Sequence, residues 1–232
     1  MEYFTARVQS IEIVAAETVE VILRPAVPLV WRPGQFITIQ IPTEDGRPLG
    51  RSYSVASHYS ATDIVLLIKL VDGGVGSQYV AGLAVGDEIS YTGPWGRFVA
   101  QEASHEVAAL FVGTGTGVAP FVPMIDAILR QGRQTTVLAG FRHEEDVLLS
   151  AFHVDWEESS LFKKIIVVSR PEDGWSGEQG RVTDYLRAHP GLLRNAQIYI
   201  CGNGSMVQEV REIAAEHGVP AEQIFFEKYN NL

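Results

Sequence analysis

Residues 107–131 read VAALFVGTGTGVAPFVPMIDAILRQ. Val107 to Val112 is an apolar run of strand length, Gly113 to Gly117 is glycine-rich, and Val118 to Gln131 is long enough for a helix. The pattern repeats downstream: TTVLAGF (Thr135 to Phe141), KIIVVS (Lys164 to Ser169) and QIYICG (Gln197 to Gly202) are further buried-type strands. Strands that alternate with helices predict a parallel sheet covered on both faces. The segment Ser205 to His217 places Met206, Val210, Ile213 and Ala214 along one helical face. Ser205 and Gln208 have the spacing of a capping box at its start, and Gly218 suits its C-terminal stop.

Upstream, from Tyr3 to about Val99, the period changes. TVEVILR (Thr18 to Arg24), GQFITIQI (Gly34 to Ile41) and IVLLIKLV (Ile64 to Val71) are rich in β-branched residues. Ile37, Ile39 and Ile41 alternate with Phe36, Thr38 and Gln40, the period of a strand with two distinct faces. Pro33-Gly34, Asp45-Gly46, Asp72-Gly73-Gly74 and Gly86-Asp87 stand at turn positions between the runs. About six short strands at this spacing predict an antiparallel barrel or sandwich. The expectation is two domains, residues 1–101 and 102–232.

Composition removes several function classes. The chain has 232 residues, and its 18 basic against 28 acidic side chains give a net charge of −10. That balance disfavours nonspecific nucleic-acid binding, in which phosphate neutralisation supplies most of the affinity. One cysteine, Cys201, cannot form an internal disulfide, a four-cysteine zinc site or a cysteine-ligated iron–sulfur cluster, so no metal site is expected. The most apolar segment, Val107 to Ile125, is interrupted by three Gly, two Thr and two Pro, which argues against a membrane span. The opening MEYFTARVQS is polar and acidic where a signal peptide is basic and then apolar, so a cytoplasmic protein is expected. The acidic run from Glu144 to Glu158 reads as a solvated face.

Four glycine- or arginine-bearing motifs carry candidate chemistry. GTGTGVAP (Gly113 to Pro120) either cradles a phosphate at a helix start or is only a tight strand–helix turn. It lacks the third glycine of the usual dinucleotide fingerprint and the Gly-Lys-Ser/Thr of a P-loop. CGNG (Cys201 to Gly204) lies at another strand end, where ligands of open parallel sheets gather, although Cys201 also suits a small buried hydrophobe. RSYS (Arg51 to Ser54) and GGVGS (Gly73 to Ser77) offer a guanidinium fork and backbone donors for a phosphate. The plainer alternatives are a surface ion pair for Arg51 and a half-buried barrel position for Tyr53.

In order along the chain stand RSYSVAS, GGVGS, GPWGRF (Gly93 to Phe98), GTGTGVAPF, SRP (Ser169 to Pro171), CGNG and the terminal FFEKY. Together they resemble the ferredoxin–NADP reductase superfamily of flavin- and pyridine-nucleotide-binding electron-transfer modules. The likeness is nearest to bacterial ferredoxin reductases and the reductase modules of aromatic-ring oxygenases. It implies an antiparallel β-barrel holding FAD, then a five-stranded parallel α/β domain holding NADPH or NADH. By motif, Arg51 would meet the flavin pyrophosphate, Tyr53 would stack on the isoalloxazine and Ser54 would approach N5. Strand alternation puts Tyr53 and Ser54 on opposite faces, so sharing one flavin requires a local bend. Gly74, Gly76 and Ser77 would clasp the pyrophosphate, and Ile68 and Lys69 would follow the flavin edge through their backbone.

In the second domain the resemblance assigns Gly115, Thr116, Gly117 and Gly202 to the dinucleotide, Cys201 to the neighbourhood of nicotinamide C4, and Glu227 to the network near N5. Tyr229 would cover the flavin face that nicotinamide must enter; Asn230, Asn231 and Leu232 follow it, and Phe225 and Phe226 read as strand core. Ser169 and Arg170 would meet the adenosine ribose, where a guanidinium and a hydroxyl favour the 2′-phosphate of NADPH. Glu172, Asp173 and Glu178 stand close by as possible acceptors for a 2′-hydroxyl, and Arg181 as a second positive charge. The implied reaction passes hydride from nicotinamide to FAD and then single electrons to an acceptor on another chain, such as a ferredoxin, a flavodoxin or an oxygenase component. Ser54, Cys201, Glu227 and Tyr229 would position and polarise rather than bond covalently. Competing readings are a free-flavin reductase, an S-adenosylmethionine-dependent methyltransferase with a similar glycine loop, and a noncatalytic nucleotide sensor.

Overall fold

The computed structural model describes residues 2–58, 62–152 and 154–229. In the first half, β1 (Phe4–Ala15), β2 (Thr18–Pro25), β3 (Phe36–Ile41), β4 (Leu49–Ser54), β5 (Ile64–Lys69) and β6 (Glu88–Trp95) form one antiparallel sheet in the order β4-β3-β6-β1-β2-β5. A short helix, α1 (Val75–Ala81), intervenes between β5 and β6. Val55 bridges Leu66, and the Ala56 N–H donates to the Val65 carbonyl at 2.8 Å, which joins the two ends of the sheet. That closure makes the sheet a barrel rather than a sandwich and leaves no long open edge. The alternation of β3 is visible in its burial: Ile37, Ile39 and Ile41 are buried in the barrel core beside Val8, Leu23 and Leu66.

The second half follows the strand–helix alternation. Its strands are β7 (Ala108–Thr114), β8 (Thr135–Phe141), β9 (Phe162–Val168), β10 (Glu178–Gln179), β11 (Ala196–Asn203) and β12 (Ile224–Tyr229). They pair in parallel in the order β10-β9-β8-β7-β11-β12. Five strands are expected from sequence; the sixth, β10, is two residues long and pairs only with the end of β9. Helices α2 (Phe121–Leu129) and α3 (Val154–Glu157) belong to one face, and α4 (Val182–Ala188) and α5 (Gly204–Glu216) to the other. Phe111, Val137, Ala139, Tyr199 and Cys201 point to the α2 face, while Leu110, Val112, Leu138, Ile198 and Ile200 point to the α4–α5 face. Each such fully buried aliphatic side chain contributes about 1.5–3 kcal/mol.

Two local expectations change. The helix before β8 starts at Phe121, because Gly115–Val118 winds as a tighter 3₁₀ turn first. The cap of α5 is Asn203, whose Oδ1 accepts from the Ser205 backbone N–H at 2.9 Å and from the Ser205 hydroxyl at 2.6 Å. Gln208 reaches forward to Glu212 instead of back to the helix start, so the Ser205–Gln208 capping box does not form. Gly218 ends the segment at φ +76°, as its type suggests. Among the described residues no helix is long and apolar enough to cross a membrane.

The two sheets are docked through one shared cluster. Ala56 and Leu67 from the barrel and Phe98 from the connecting segment pack with Phe111, Phe121, Met124 and Tyr199. Gly34, at φ +103°, lies where an added Cβ would run into the carbonyl oxygen of Phe98 and touch the Met124 sulfur at 3.0 Å. Gly46 also has positive φ, +74°, but an added Cβ there meets nothing within 4 Å. Gly34→Ala is therefore expected to cost more than about 3 kcal/mol, conformational strain plus a clash, against about 1 kcal/mol for Gly46→Ala. Urea unfolding of the two variants measures the difference; equal losses would mean that the barrel turn has room at the seam.

Candidate functional site

Strand alternation on β11 and β12 sets up the centre of the site. Cys201 stands opposite Glu227 and Asn203 opposite Tyr229 across the parallel pair. Cys201 is fully buried and Tyr229 half-buried. From the barrel, Ser54 at the end of β4 reaches across: its Oγ lies 2.8 Å from the Tyr229 hydroxyl. Cys201, Glu227 and Tyr229 are electrostatic neighbours of one another. The four residues expected to act on the reacting atoms, Ser54, Cys201, Glu227 and Tyr229, thus form one group drawn from both sheets.

Burial dominates the electrostatics of this group. It pushes the Cys201 thiol well up, and the neighbouring Glu227 carboxylate adds to the rise. It also holds the Tyr229 phenol well above its ordinary value, with Cys201 and Glu227 acting in the same direction and the Ser54 bond opposing them. Burial alone raises the Glu227 carboxyl to about 7. Cysteine and tyrosine therefore stay protonated and neutral at ordinary pH, and Glu227 is the member that titrates there.

On the barrel side, Arg51 pairs with Ile39 and Tyr53 with Ile37, so both side chains share the inward face. They converge on Gly76 of α1, where an added Cβ would meet the Tyr53 hydroxyl at 2.8 Å and Arg51 Cγ at 3.2 Å. Ser54 occupies the other face, and directly after it the chain leaves β3 to pair with β5 at Val55. The Ser77 hydroxyl accepts from the Val71 N–H at 2.8 Å, which holds the loop containing Gly74 against α1. Ile68 is buried with its side chain in the barrel core, leaving only its backbone for a ligand. Lys69 turns to Glu17 at 3.6 Å. Arg51 donates from Nη1 to the Gly50 carbonyl at 2.9 Å and enters no ion pair among the described residues.

On the sheet side, the chain runs β7 to β8 to β9 in one direction and then returns to β11 on the other side of β7. The gap between β7 and β11 is the switch point at which open α/β sheets bind ligands. Both glycine turns, GTGTG and CGNG, end strands there. A Cβ on Gly117 would lie 2.5 Å from the Cys201 carbonyl oxygen, so the absence of a side chain lets the turns touch. A Cβ on Gly202, at φ +139°, would lie 2.5 Å from Thr114 Oγ1. Gly115, at φ +53°, faces open space beside Thr116 at the start of the 3₁₀ turn. Ser169 and Arg170 are exposed two strands away, past the end of β9, and are not part of the Ser54–Tyr229 group. The Arg170 N–H donates to the Arg142 carbonyl at 2.8 Å, and the Gly180 N–H donates to the Val168 carbonyl at 3.0 Å, which brings Arg142, Arg170 and Arg181 to one edge. Arg142 is not among the residues picked from sequence; its signal is its place just past a strand end, one strand over from Arg170.

Comparison with known proteins agrees with this geometry. The oxidoreductase FAD-binding domain family matches residues 6–100, and the oxidoreductase NAD-binding domain family matches residues 111–212. Ferredoxin–NADP reductase B of Sorangium cellulosum is 33% identical over 216 residues, covering 87% of this chain and 86% of that protein. The chain belongs to the ferredoxin–NADP reductase superfamily. It is an FAD-dependent NAD(P)H oxidoreductase of the electron-transfer kind. The reductase component of propane 2-monooxygenase from Rhodococcus jostii is 31% identical over 97% of this chain, which spans 63% of that protein. The solved cytochrome P450 reductase of Amycolatopsis superposes with a TM-score of 0.88 at 28% identity, over 98% of this chain and 69% of the other. Membership leaves the methyltransferase reading without support.

The residues present fit the flavin that the family carries. Arg51 keeps donors for an anion, Gly76 lets α1 approach Tyr53 and Arg51 closely, and Ser54 ends the strand at the seam. Asn230, Asn231 and Leu232, which follow Tyr229 in sequence, lie outside the described residues.

Glu227 supplies a stability test. Its folded pKa, about 7, exceeds its ordinary value of 4.5, so the native state holds a proton that the unfolded chain releases. The carboxyl then weakens the fold as pH rises from about 4.5 through about 7, by at most ~3 kcal/mol. Glu227→Gln cannot ionise and is expected to gain stability relative to the parent between pH 5 and pH 8. Parallel pH-dependent melts of the two proteins that show no such divergence would place this carboxylate in contact with water.

Proposed function

We propose that this chain takes hydride from NADPH in preference to NADH and delivers electrons singly to a redox protein on another chain, of ferredoxin, flavodoxin or oxygenase-component type. The observation that carries the reading is the contact of Ser54 with Tyr229, beside buried Cys201, in which one strand end of a flavin-type barrel meets the strand ends of a nucleotide-type sheet. FAD, when bound, supplies the chemistry that converts a two-electron donor into single-electron transfers.

The chain's own residues bind, orient and exclude water. We take residues 1–101 as the flavin-binding unit and 102–232 as the nucleotide-binding unit. Arg51, with backbone donors at Gly76 and Ser77 and the Gly74 loop beside them, neutralises the flavin pyrophosphate, and Tyr53 lies against the ring system. The backbone of Ile68 and Lys69 follows its edge. Gly115, Thr116, Gly117 and Gly202 let the backbone approach the nucleotide phosphates. Cys201, uncharged and buried, bounds the nicotinamide position without reacting. Ser54 and Glu227 hold protons near the flavin edge, and the Tyr229 ring covers the face at which nicotinamide arrives. Holding two rings in contact in a dry seam is the main catalytic contribution of such a protein. A single cysteine suits a cytoplasmic location.

The preference for NADPH rests on Arg142, Arg170 and Arg181, all exposed and free of ion pairs among the described residues, gathered beside Ser169. The nearby Glu144 carboxylate is already engaged by the Glu172 N–H at 3.2 Å. Steady-state kcat/KM with both nucleotides tests the assignment, with NADPH favoured. Arg170→Ala is expected to raise the KM for NADPH and to leave NADH nearly unchanged. Higher kcat/KM with NADH in the parent protein would overturn this preference.

A second test addresses the flavin. Arg51→Ala removes a charged phosphate contact worth about 1.5–3 kcal/mol, or roughly 10- to 150-fold in FAD affinity. Flavin absorbance per protein after gel filtration measures it. Full occupancy in the variant would show that Arg51 faces solvent, and a parent protein that loses its flavin on the column would favour free-flavin reduction.

A further inference from the structure

The largest fully buried side chain outside the site is a cation, Arg133, in the turn between α2 and β8. No carboxylate pairs with it among the described residues. Its guanidinium meets five neutral oxygens instead. Nε donates to the Val107 carbonyl at 2.8 Å, Nη1 to the Gln101 carbonyl at 3.1 Å and Gln131 Oε1 at 3.3 Å, and Nη2 to Gln197 Oε1 at 2.9 Å and the Ala108 carbonyl at 3.5 Å. Five N–H donors are matched by five acceptors, which is the full capacity of an arginine.

The acceptors share a location. Gln101 and Val107 bracket the segment that joins the barrel to the sheet, and Ala108 and Gln197 begin β7 and β11. The same segment is gripped a second time by Tyr199, whose hydroxyl accepts from the Gln101 N–H at 3.0 Å and donates to Gln197 Oε1 at 3.0 Å. The Tyr199 ring stacks on Phe111 at 4.8 Å and Phe225 at 5.2 Å, with Phe98 at its edge at 6.3 Å. Arg133 and Tyr199 thus fasten the connecting segment to the strand that carries Cys201.

We propose that Arg133 is a positioning residue for hydride transfer: by clamping residues 101–107 onto β7 and β11, it sets how the barrel's Ser54 meets the sheet's Tyr229 beside Cys201. The proposal rests on the reading of Ser54, Cys201 and Tyr229 given above. Reacting rings held by different domains must meet within about 3–3.5 Å, and misplacement by ~1 Å costs on the order of 100-fold in rate. A clamp of neutral carbonyls holds a segment by direction rather than by charge, because each acceptor fixes one arm of a planar fork.

The test compares Arg133→Met, Arg133→Lys and Tyr199→Phe with Leu186→Ala, a buried truncation on the opposite face of the sheet. In the flavin-loaded proteins, stopped-flow flavin reduction at saturating nucleotide is expected to slow at least tenfold in both Arg133 variants and in Tyr199→Phe. The nucleotide KM stays within about twofold, since the phosphate contacts remain. Hydrogen exchange at the Gln101 amide, read without nucleotide, is expected to accelerate in the same three variants and not in Leu186→Ala. Should the Arg133 variants fail to fold, Tyr199→Phe, which removes one hydroxyl, decides alone. Wild-type reduction rates in Tyr199→Phe, a slowing no greater than that of Leu186→Ala, or full rescue by Arg133→Lys would each overturn the proposal. A parent protein whose flavin is not reduced by either nucleotide would instead overturn the reading of the site, while the exchange measurement still reports on the clamp.

Discussion

Ser54 and Tyr229 lie 175 residues apart in the chain, yet their hydroxyls meet at 2.8 Å. Nothing local brings them together. The barrel must close so that β4 ends at the seam, the parallel sheet must carry β12 to its edge, and the two must dock in one register. The apolar cluster that docks them, with Leu67 and Ala56 on one side and Phe111, Phe121 and Tyr199 on the other, also keeps water from the contact. Packing and site are thus one arrangement: the cluster that holds the domains together includes Cys201, packs against Tyr229 and so walls them in.

That wall governs the chemistry through dielectric rather than through charge. A buried thiol and a buried phenol resist ionisation, so Cys201 and Tyr229 present neutral, oriented groups. A thiolate here would be a nucleophile; a protonated thiol is a small, polarisable surface beside a strand end. Glu227, partly buried and raised to about 7, is the exception, able to hold or release a proton within the ordinary pH range. One interior thus serves two ends, keeping two groups inert and poising a third.

The glycines of the sheet act by what they leave out. Gly117, in the 3₁₀ turn after β7, and Gly202, at the end of β11, sit where any side chain would strike the facing turn or Thr114. Their absence of Cβ narrows the distance between GTGTG and CGNG, and the topological reversal between β7 and β11 supplies the cleft that those turns border. On the barrel side Gly76 does the same for Arg51 and Tyr53.

Much of this was legible in the residues. Alternating Ile37, Ile39 and Ile41 announce a two-faced strand, and glycines after Val112 and Ile200 announce strand ends, because backbone period and turn conformation are local properties of sequence. The motifs RSYS, GTGTG, CGNG and FFEKY likewise bring Ser54, Cys201, Glu227 and Tyr229 under suspicion one at a time. Their convergence is tertiary. Closure of the barrel through Val55 and Leu66, the place of Arg142 beside Arg170, the cap at Asn203 rather than Ser205, and the caging of Arg133 by five oxygens all depend on partners distant in sequence or on competition between neighbouring donors. Such choices follow from which groups become buried together, and burial belongs to the folded chain, not to any segment of it.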